Sequence, residues 1–262
     1  MVAFSLPTLH YPPMLKHERF QHILDQLRRQ GQVQLTPLSQ ALQVSEDTVR
    51  RDVDELARQG LLTKIRGGAV APSPIPGAYQ AREQHDAGAK QEIARKALTL
   101  VQDRQMVILD GGTTVGWLAR LLPASCRLRV ATNSLPAATA LLDHPGVEVH
   151  MAGGRLHAPY RVNLGAETVD FFRQLRADAC FLGAYGLHPQ AGLTVANAEE
   201  AAVKRAMVKA SSHVVALVTP EKLGTAESHV VCEAAAIHTL VTAGTVPEQV
   251  LAAYRELGVR IL

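Results

Sequence analysis

The stretch "VSEDTVRRDVDELARQGLLTKIRGGA", residues 44–69, decides how the front of this chain is read. Ser45 stands where its hydroxyl can cap a helix, and Val49, Val53 and Leu56 then share one face. The opposite side carries Asp47, Arg50, Arg51 and Asp54, with Thr48 close to the helix start. Gly60 stops the helix, a β pattern runs from Leu61 to Ile65, and Gly67-Gly68 permits a tight return. Upstream, "ERFQHILDQLRRQG" (18–31) spaces Phe20, Ile23, Leu24 and Leu27 for a helix, with Gly31 as its C-cap. "TPLSQALQ" (36–43) reads as a short second helix with Thr36 as N-cap and Pro37 in the first turn. Helix, helix, turn, helix and hairpin is the order of a winged helix-turn-helix.

That order gives the charges a purpose. The N-terminal end of the third helix of such a motif enters the major groove, where arginine reaches phosphates and guanine edges. Ser45, Thr48, Arg50 and Arg51 on the helix, with Lys64 and Arg66 on the wing, are therefore the candidate contacts to double-stranded DNA. Asp52 and Glu55 are expected on the flanks, where they can orient arginines or repel wrong partners. A solvated helix laced by i,i+3 and i,i+4 ion pairs is the competing account of the charges alone. The complete order, ending in a basic Gly-Gly hairpin, favours DNA.

Composition limits the alternatives. The 262 residues carry a formal charge of only +3, so a basic face must be local. Hydrophobic residues make up 47% of the chain and aromatics 4%, which predicts aliphatic cores. Cys126, Cys180 and Cys232 are odd in number and show no C-x-x-C spacing; a disulfide framework and a zinc site are not expected, and a reducing cytoplasm is. No metal and no cofactor is expected. Residues 1–15 read as a flexible leader, interrupted by prolines and unlike a signal peptide. No apolar run approaches the roughly 18 residues of a membrane span. Residues 71–88, with Pro72, Pro74, Pro76 and Gly77 crowded together, read as a Pro-rich linker between domains at 16–70 and 89–262.

Residues 89–262 alternate short apolar strands with helices, which predicts a mostly parallel sheet covered on both faces. In "MVILDGGTTVGWLARLL" (106–122), Asp110 ends a strand, glycines follow, and Thr113 and Thr114 open a helix. Exposed amides at a helix start form an anion site. Further strand ends fall at Thr132-Asn133-Ser134, Gly153-Gly154-Arg155 and Gly183 to Gly186, and ligands of open α/β sheets sit beyond such ends. Glu200, Lys204 and Lys222 complete the candidates. Taken singly, Gly-Gly is also an ordinary turn and Glu200–Lys204 an ordinary i,i+4 pair. A Rossmann site is disfavoured because the spacing D-G-G-T-T is not G-x-G-x-x-G. Together, helix-start hydroxyls and several cations suit a phosphorylated, hydroxyl-rich small molecule.

The motifs carry a family resemblance across nearly the whole chain. Glu18-Arg19, Val44 through Asp52, and Gly67 through Ala69 resemble the DNA-binding domain of DeoR-type bacterial transcriptional regulators. The second half is similar to their sensor domain, whose fold is that of ribose-5-phosphate isomerase. The family pattern D-x-G-T-T falls at Asp110–Thr114, T-N-S at Thr132–Ser134, G-G at Gly153-Gly154 and E-x-x-x-K-R-A at Glu200–Ala206. K-F-G becomes Lys222-Leu223-Gly224, a departure at its middle position. The resemblance implies an effector pocket lined by Asp110, Gly112, Thr113, Thr114, Thr132, Asn133, Ser134, Gly153, Gly154, Arg155, Gly183, Glu200, Lys204 and Lys222, with the two lysines on the anionic group. It implies a cytoplasmic repressor of a carbohydrate catabolic operon, released by a sugar phosphate and assembled as a homodimer or homotetramer. Ala184 and Tyr185 stand where the isomerases carry acids, which favours binding without turnover; residual isomerase activity is the alternative.

Overall fold

A computed structural model describes residues 14–75 and 77–262. The chain forms two compact units, the first ending at Ala71 and the second beginning at Pro72. Of the expected leader, residues 1–13 lie outside the described residues.

The first unit opens with α1 (Lys16–Gln30), which buries Ile23 and Leu27 and ends at Gly31 in the left-handed region, φ 73°. Strand β1 (Gln32–Gln34) follows and is not foreseen by the sequence reading. Helix α2 (Leu35–Leu42) begins one residue before Thr36, so the expected Thr36 cap is corrected: Gln34 is the N-cap residue, without a side-chain bond. The Thr36 hydroxyl instead donates to Glu46 at 2.5 Å. Helix α3 (Glu46–Arg58) is capped as expected, Ser45 Oγ accepting from the Thr48 amide at 3.2 Å. Its buried residues are Val49, Val53, Leu56 and also Asp52. Strands β2 (Thr63–Ile65) and β3 (Gly68–Val70) form the hairpin, and β1 pairs with β3, so the wing has three strands in the order β1-β3-β2. β3 runs in the middle and is fully buried. Gly68 is required there, since a Cβ would lie 2.0 Å from the Val33 carbonyl oxygen.

In the second unit, the span read as linker is partly helical: α4 (Tyr79–Gln84) and α5 (Ala87–Leu98) occupy its C-terminal end. Tyr79, 1% exposed, anchors α4. The chain before α4 is held as well. The Ser73 amide donates to Glu227 at 3.1 Å, and Ile75 packs against one core.

Then come β4 (Met106–Leu109), α6 (Thr113–Leu121), β5 (Leu128–Thr132), α7 (Leu135–Leu141), β6 (Val147–Met151), β7 (Arg155–His157), β8 (Val162–Leu164), α8 (Ala166–Arg173), β9 (Ala177–Gly183), β10 (Gly186–His188), β11 (Gly192–Val195), α9 (Ala198–Ala210), β12 (Ser211–Leu217), β13 (His229–Cys232), β14 (Thr239–Val241), α10 (Glu248–Arg255) and β15 (Arg260–Ile261). Seven strands make one sheet, β15-β14-β12-β9-β4-β5-β6. Every pairing within it is parallel. Alternation along each strand feeds two cores. Val107, Leu109, Phe181, Val215 and Leu217 face a layer holding Ile93, Val115 and Leu118. Met106, Ile108, Cys180, Leu182, Val214 and Ala216 face the other, with Phe172, Val203, Met207 and Tyr254. A smaller antiparallel sheet, β10-β11-β13, and the β7-β8 hairpin complete the unit. The parallel order brings the C-terminal ends of β4 and β9 side by side, where the site lies.

Candidate functional site

The first unit exposes the expected cations, several of them paired with acids. Arg50 and Arg51 are exposed on α3 and share Asp47, at 3.3 and 2.7 Å. Lys64 of the wing pairs with Asp54, and Arg66 stands exposed at the turn between β2 and β3. Ser45 and Thr48 join their hydroxyls at 2.9 Å at the α3 N-terminus. Exposed ion pairs contribute little, so these cations are available to a competing phosphate. One expectation is corrected. Asp52 is not a flank residue but a buried anchor, accepting from Arg19 Nε at 2.6 Å and Nη2 at 3.1 Å. That bond ties α1 to α3 from behind and holds the Arg19 guanidinium above its usual pKa. Glu55 pairs with Lys16 at 2.6 Å, again across to α1.

The second unit carries a cleft lined by Arg82, Gly111, Gly112, Thr113, Thr114, Gly183, Ala184, Tyr185, Glu200, Lys204 and Lys222. Its floor is the start of α6. Gly112 precedes that helix at φ 126°, a conformation glycine alone adopts readily, and no side chain caps the helix. The amides there point outward and favour an anion. Beside it, Asp110 Oδ2 accepts from the Gly183 amide at 2.9 Å and from the Lys204 ammonium. Lys204 also donates to the Gly183 carbonyl at 3.0 Å and lies 3.5 Å from Glu200 Oε1. Two of its donors are thus hydrogen-bonded and Glu200 stands at ion-pair distance. Lys204 is 1% exposed and its charge is balanced within the protein.

Two cations are not balanced in that way. Lys222, on the 3₁₀ turn Pro220–Lys222, is buried and makes no side-chain hydrogen bond or ion pair among the described residues. Burial, reinforced by Arg82 and Lys90, pushes its pKa down to about 7. Arg82 of α4 is 8% exposed, and its Nε is buried without a hydrogen-bond partner. Its guanidinium sits over the Tyr185 ring at 4.7 Å and the Tyr160 ring at 5.4 Å. Arg82 was missed because it falls in the span read as linker. On the acidic side, Glu200 Oε2 is likewise buried with no partner, and burial raises the Glu200 carboxyl against the pull of Lys204.

The remaining expected pocket residues divide. Thr132, Asn133 and Ser134 are buried, but their bonds serve the fold: Thr132 Oγ1 donates to the Leu109 carbonyl at 2.6 Å, Asn133 Nδ2 to the Asn163 carbonyl at 2.9 Å, and Ser134 caps α7. Asn133 Oδ1 is left without a partner. Gly153 accepts from Thr168 through its carbonyl, and Gly154, at φ 123°, is pressed against Thr168 and Leu164. Arg155 is exposed and paired with Glu199. None of these six lines the cleft. Tyr185, following β9, directs its hydroxyl away to donate to the Gly77 carbonyl at 3.0 Å, and burial raises its pKa.

Residues 19–74 match the DeoR-like helix-turn-helix domain, and residues 85–243 the DeoR C terminal sensor domain. The chain is 33% identical to the HTH-type transcriptional repressor GlcR of Bacillus subtilis (strain 168), over 87% of this chain and 89% of that protein. It is 32% identical to the glycerol-3-phosphate regulon repressor of Escherichia coli (strain K12), over 80% and 84%. Solved structures similar in fold include ribose 5-phosphate isomerase A from Methanocaldococcus jannaschii, with TM-score 0.39, 15% identity, and 52% and 54% of the two chains covered. Another is eIF2B beta from Chaetomium thermophilum, with TM-score 0.43, 14% identity, and 65% and 53% covered. With both halves matched in order, and with full-length relatives that are themselves transcriptional regulators, the chain belongs to the DeoR family of helix-turn-helix regulators.

Proposed function

We propose that this protein represses a carbohydrate catabolic operon and is released from its operator by a phosphorylated sugar or polyol bound in the cleft of the second unit. Ser45, Thr48, Arg50, Arg51, Lys64 and Arg66 meet the DNA, the arginines of α3 reaching phosphates and base edges at the major groove and the wing cations the backbone. A single winged helix buries little DNA surface, so two copies on paired half-sites are expected.

The observation that carries the effector reading is a mismatch of unsatisfied groups inside one cleft. Arg82 Nε is buried without a partner, Lys222 lines the same space with no ion pair among the described residues, an uncapped helix start faces it, and Glu200 Oε2 is buried without a donor. Buried polar groups of this kind are costly unless something satisfies them. An anion answers the first three and a hydroxyl the fourth, and a sugar phosphate supplies both. The name of one relative, a repressor of a glycerol-3-phosphate regulon, agrees with a phosphorylated effector. Lys222 then contacts the phosphate, while Lys204 fixes Asp110, Glu200 and Gly183 in place.

Turnover is not expected. Asp110 is engaged by Lys204 and the Gly183 amide, and Tyr185 by Gly77, so neither is a free base. The specific support for an isomerase as second reading is the unengaged Oε2 of Glu200. Thermal-shift measurement against glucose 6-phosphate, fructose 1-phosphate, fructose 6-phosphate and glycerol 3-phosphate tests the effector, because a ligand of the folded state raises the melting temperature. Silence toward all four rejects it. Interconversion of an aldose and a ketose phosphate on incubation would replace the non-enzymatic reading.

A further inference from the structure

We propose that Arg82 is a ligand of the effector's phosphate and that this contact makes helix α4 the element whose mobility reports whether the cleft is filled. The inference rests on the cleft being a phosphate site. It assigns a role to a residue of the segment that follows the DNA-binding unit in the chain.

Arg82 lines the cleft, is more than nine-tenths buried, and has an Nε without any hydrogen-bond partner. Among the described residues no carboxylate lies within ion-pair distance of it, in contrast to Lys204. The aromatic faces of Tyr185 and Tyr160 hold the guanidinium plane without using its in-plane donors. A planar fork left with free donors in the cleft matches a phosphate in bidentate fashion, which a lysine does not.

The helix that carries Arg82 is short and is held by contacts on several sides, one of them from Tyr185 of the cleft. The Lys90 ammonium donates to the carbonyls of Arg82 and His85 at the end of α4. The His85 ring lies 3.2 Å from Glu221, the neighbour of Lys222. Glu83 pairs with Arg120 of α6 at 2.8 Å, and the Gly77 carbonyl is held by Tyr185. Phosphate bridging Arg82 and Lys222 would therefore lock α4 to the 3₁₀ turn and to the start of α6. Without it, Arg82 disfavours the charged form of Lys222 and nothing bridges the two side chains. The first unit ends at Ala71, eight residues before α4 begins, so a change in the mobility of α4 lies close in sequence to the DNA-binding unit.

The test compares the full-length protein with Arg82→Gln and Arg82→Lys by isothermal titration with inorganic phosphate and with glucose 6-phosphate, together with hydrogen exchange of residues 78–90. The wild type should bind at least one of the two anions and show slower exchange across α4 when it does. Arg82→Gln should weaken that binding roughly 10- to 100-fold, the worth of a charge-assisted hydrogen bond, and abolish the protection. Arg82→Lys keeps the charge and guards against a folding artefact; it should bind at intermediate strength, without full protection of α4. Unchanged affinity in both variants overturns the assignment while leaving the phosphate site intact. Affinity lost without any ligand-dependent protection in the wild type overturns the role of α4. A wild type that binds neither anion overturns the phosphate reading itself, and this inference with it.

Discussion

The buried triad of Asp110, Lys204 and Glu200 offers a sharp test of how the sensor unit is held together. Asp110→Asn keeps the shape of the side chain but removes the charge that meets Lys204, in a place where the two groups are 2% and 1% exposed. The Lys204 ammonium is then left with the Gly183 carbonyl and with Glu200, 3.5 Å away and itself raised by burial. Stranding one member of a buried pair costs about 3–5 kcal/mol. At roughly 2–4 °C per kcal/mol for a unit of this size, the sensor transition falls by about 6–20 °C. The double variant Asp110→Asn/Lys204→Met removes both charges and lets Glu200 take a proton. Removing both charges of a buried pair costs less than stranding one of them. It should therefore recover most of the loss, a coupling that calorimetry on the single and double variants measures directly. A melting temperature within about 1 °C of wild type for Asp110→Asn, where buried charges are expected to cost several kcal/mol, refutes the reasoning. So does a double variant whose loss equals the sum of the singles.

Other expectations concern the two surfaces. Arg50→Ala/Arg51→Ala should weaken binding to operator fragments and reduce the slope of log K against log salt by up to about 2, since each phosphate contact contributes about 0.9; anisotropy titrations at several salt concentrations read this, and an unaltered slope removes the arginines from the backbone. Asp52→Ala leaves the Arg19 guanidinium without its buried partner, so the melting of the first unit should drop by an amount set by about 3–5 kcal/mol, with operator affinity failing at temperatures the wild type tolerates. Lys222, held down to about 7, must bind a proton to meet an anion. Effector affinity should therefore fall as pH rises through 7, more steeply than for Lys222→Gln. In the absence of ligand the sign reverses for stability. Between pH 7 and the unfolded lysine pKa near 10.4 the unfolded chain binds more protons, so stability rises with pH. Calorimetric titration and melting at pH 6.5 and 8.5 check both, and a flat affinity profile in the wild type discards the role of Lys222.

The parts of this molecule that follow periodicity and capping were legible before any coordinates. Ser45, Gly31 and the Val49-Val53-Leu56 face were all placed correctly from spacing, because helix ends and amphipathic faces are local properties. The alternation of strands and helices likewise foretold a parallel sheet. What escaped was non-local. β1 has three residues and no signal of its own; it exists because β3 needs a second partner. Asp52 looked like any other acid on a charged helix, and only the approach of α1 turns it into a core residue. Arg82 was hidden for a related reason. Prolines and Gly77 marked a break in the chain, and the break ends earlier than composition suggests, once Tyr79 finds a buried seat. Lys204 shows the limit of motif reasoning: the motif names it as a ligand of an anion, while its engagement by Asp110, Glu200 and the Gly183 carbonyl depends on geometry across elements.

The third strand of the wing has a kinetic meaning. A bare hairpin would sample many shapes in solution and would have to surrender that freedom at every encounter with the double helix. Here β1 clasps β3 along its whole length, and the backbone at Gly68 fits so closely that even a methyl group is refused. Under the proposed function, Arg66 reaches DNA from a wing braced by this third strand, so contact should form without a slow adjustment of the wing.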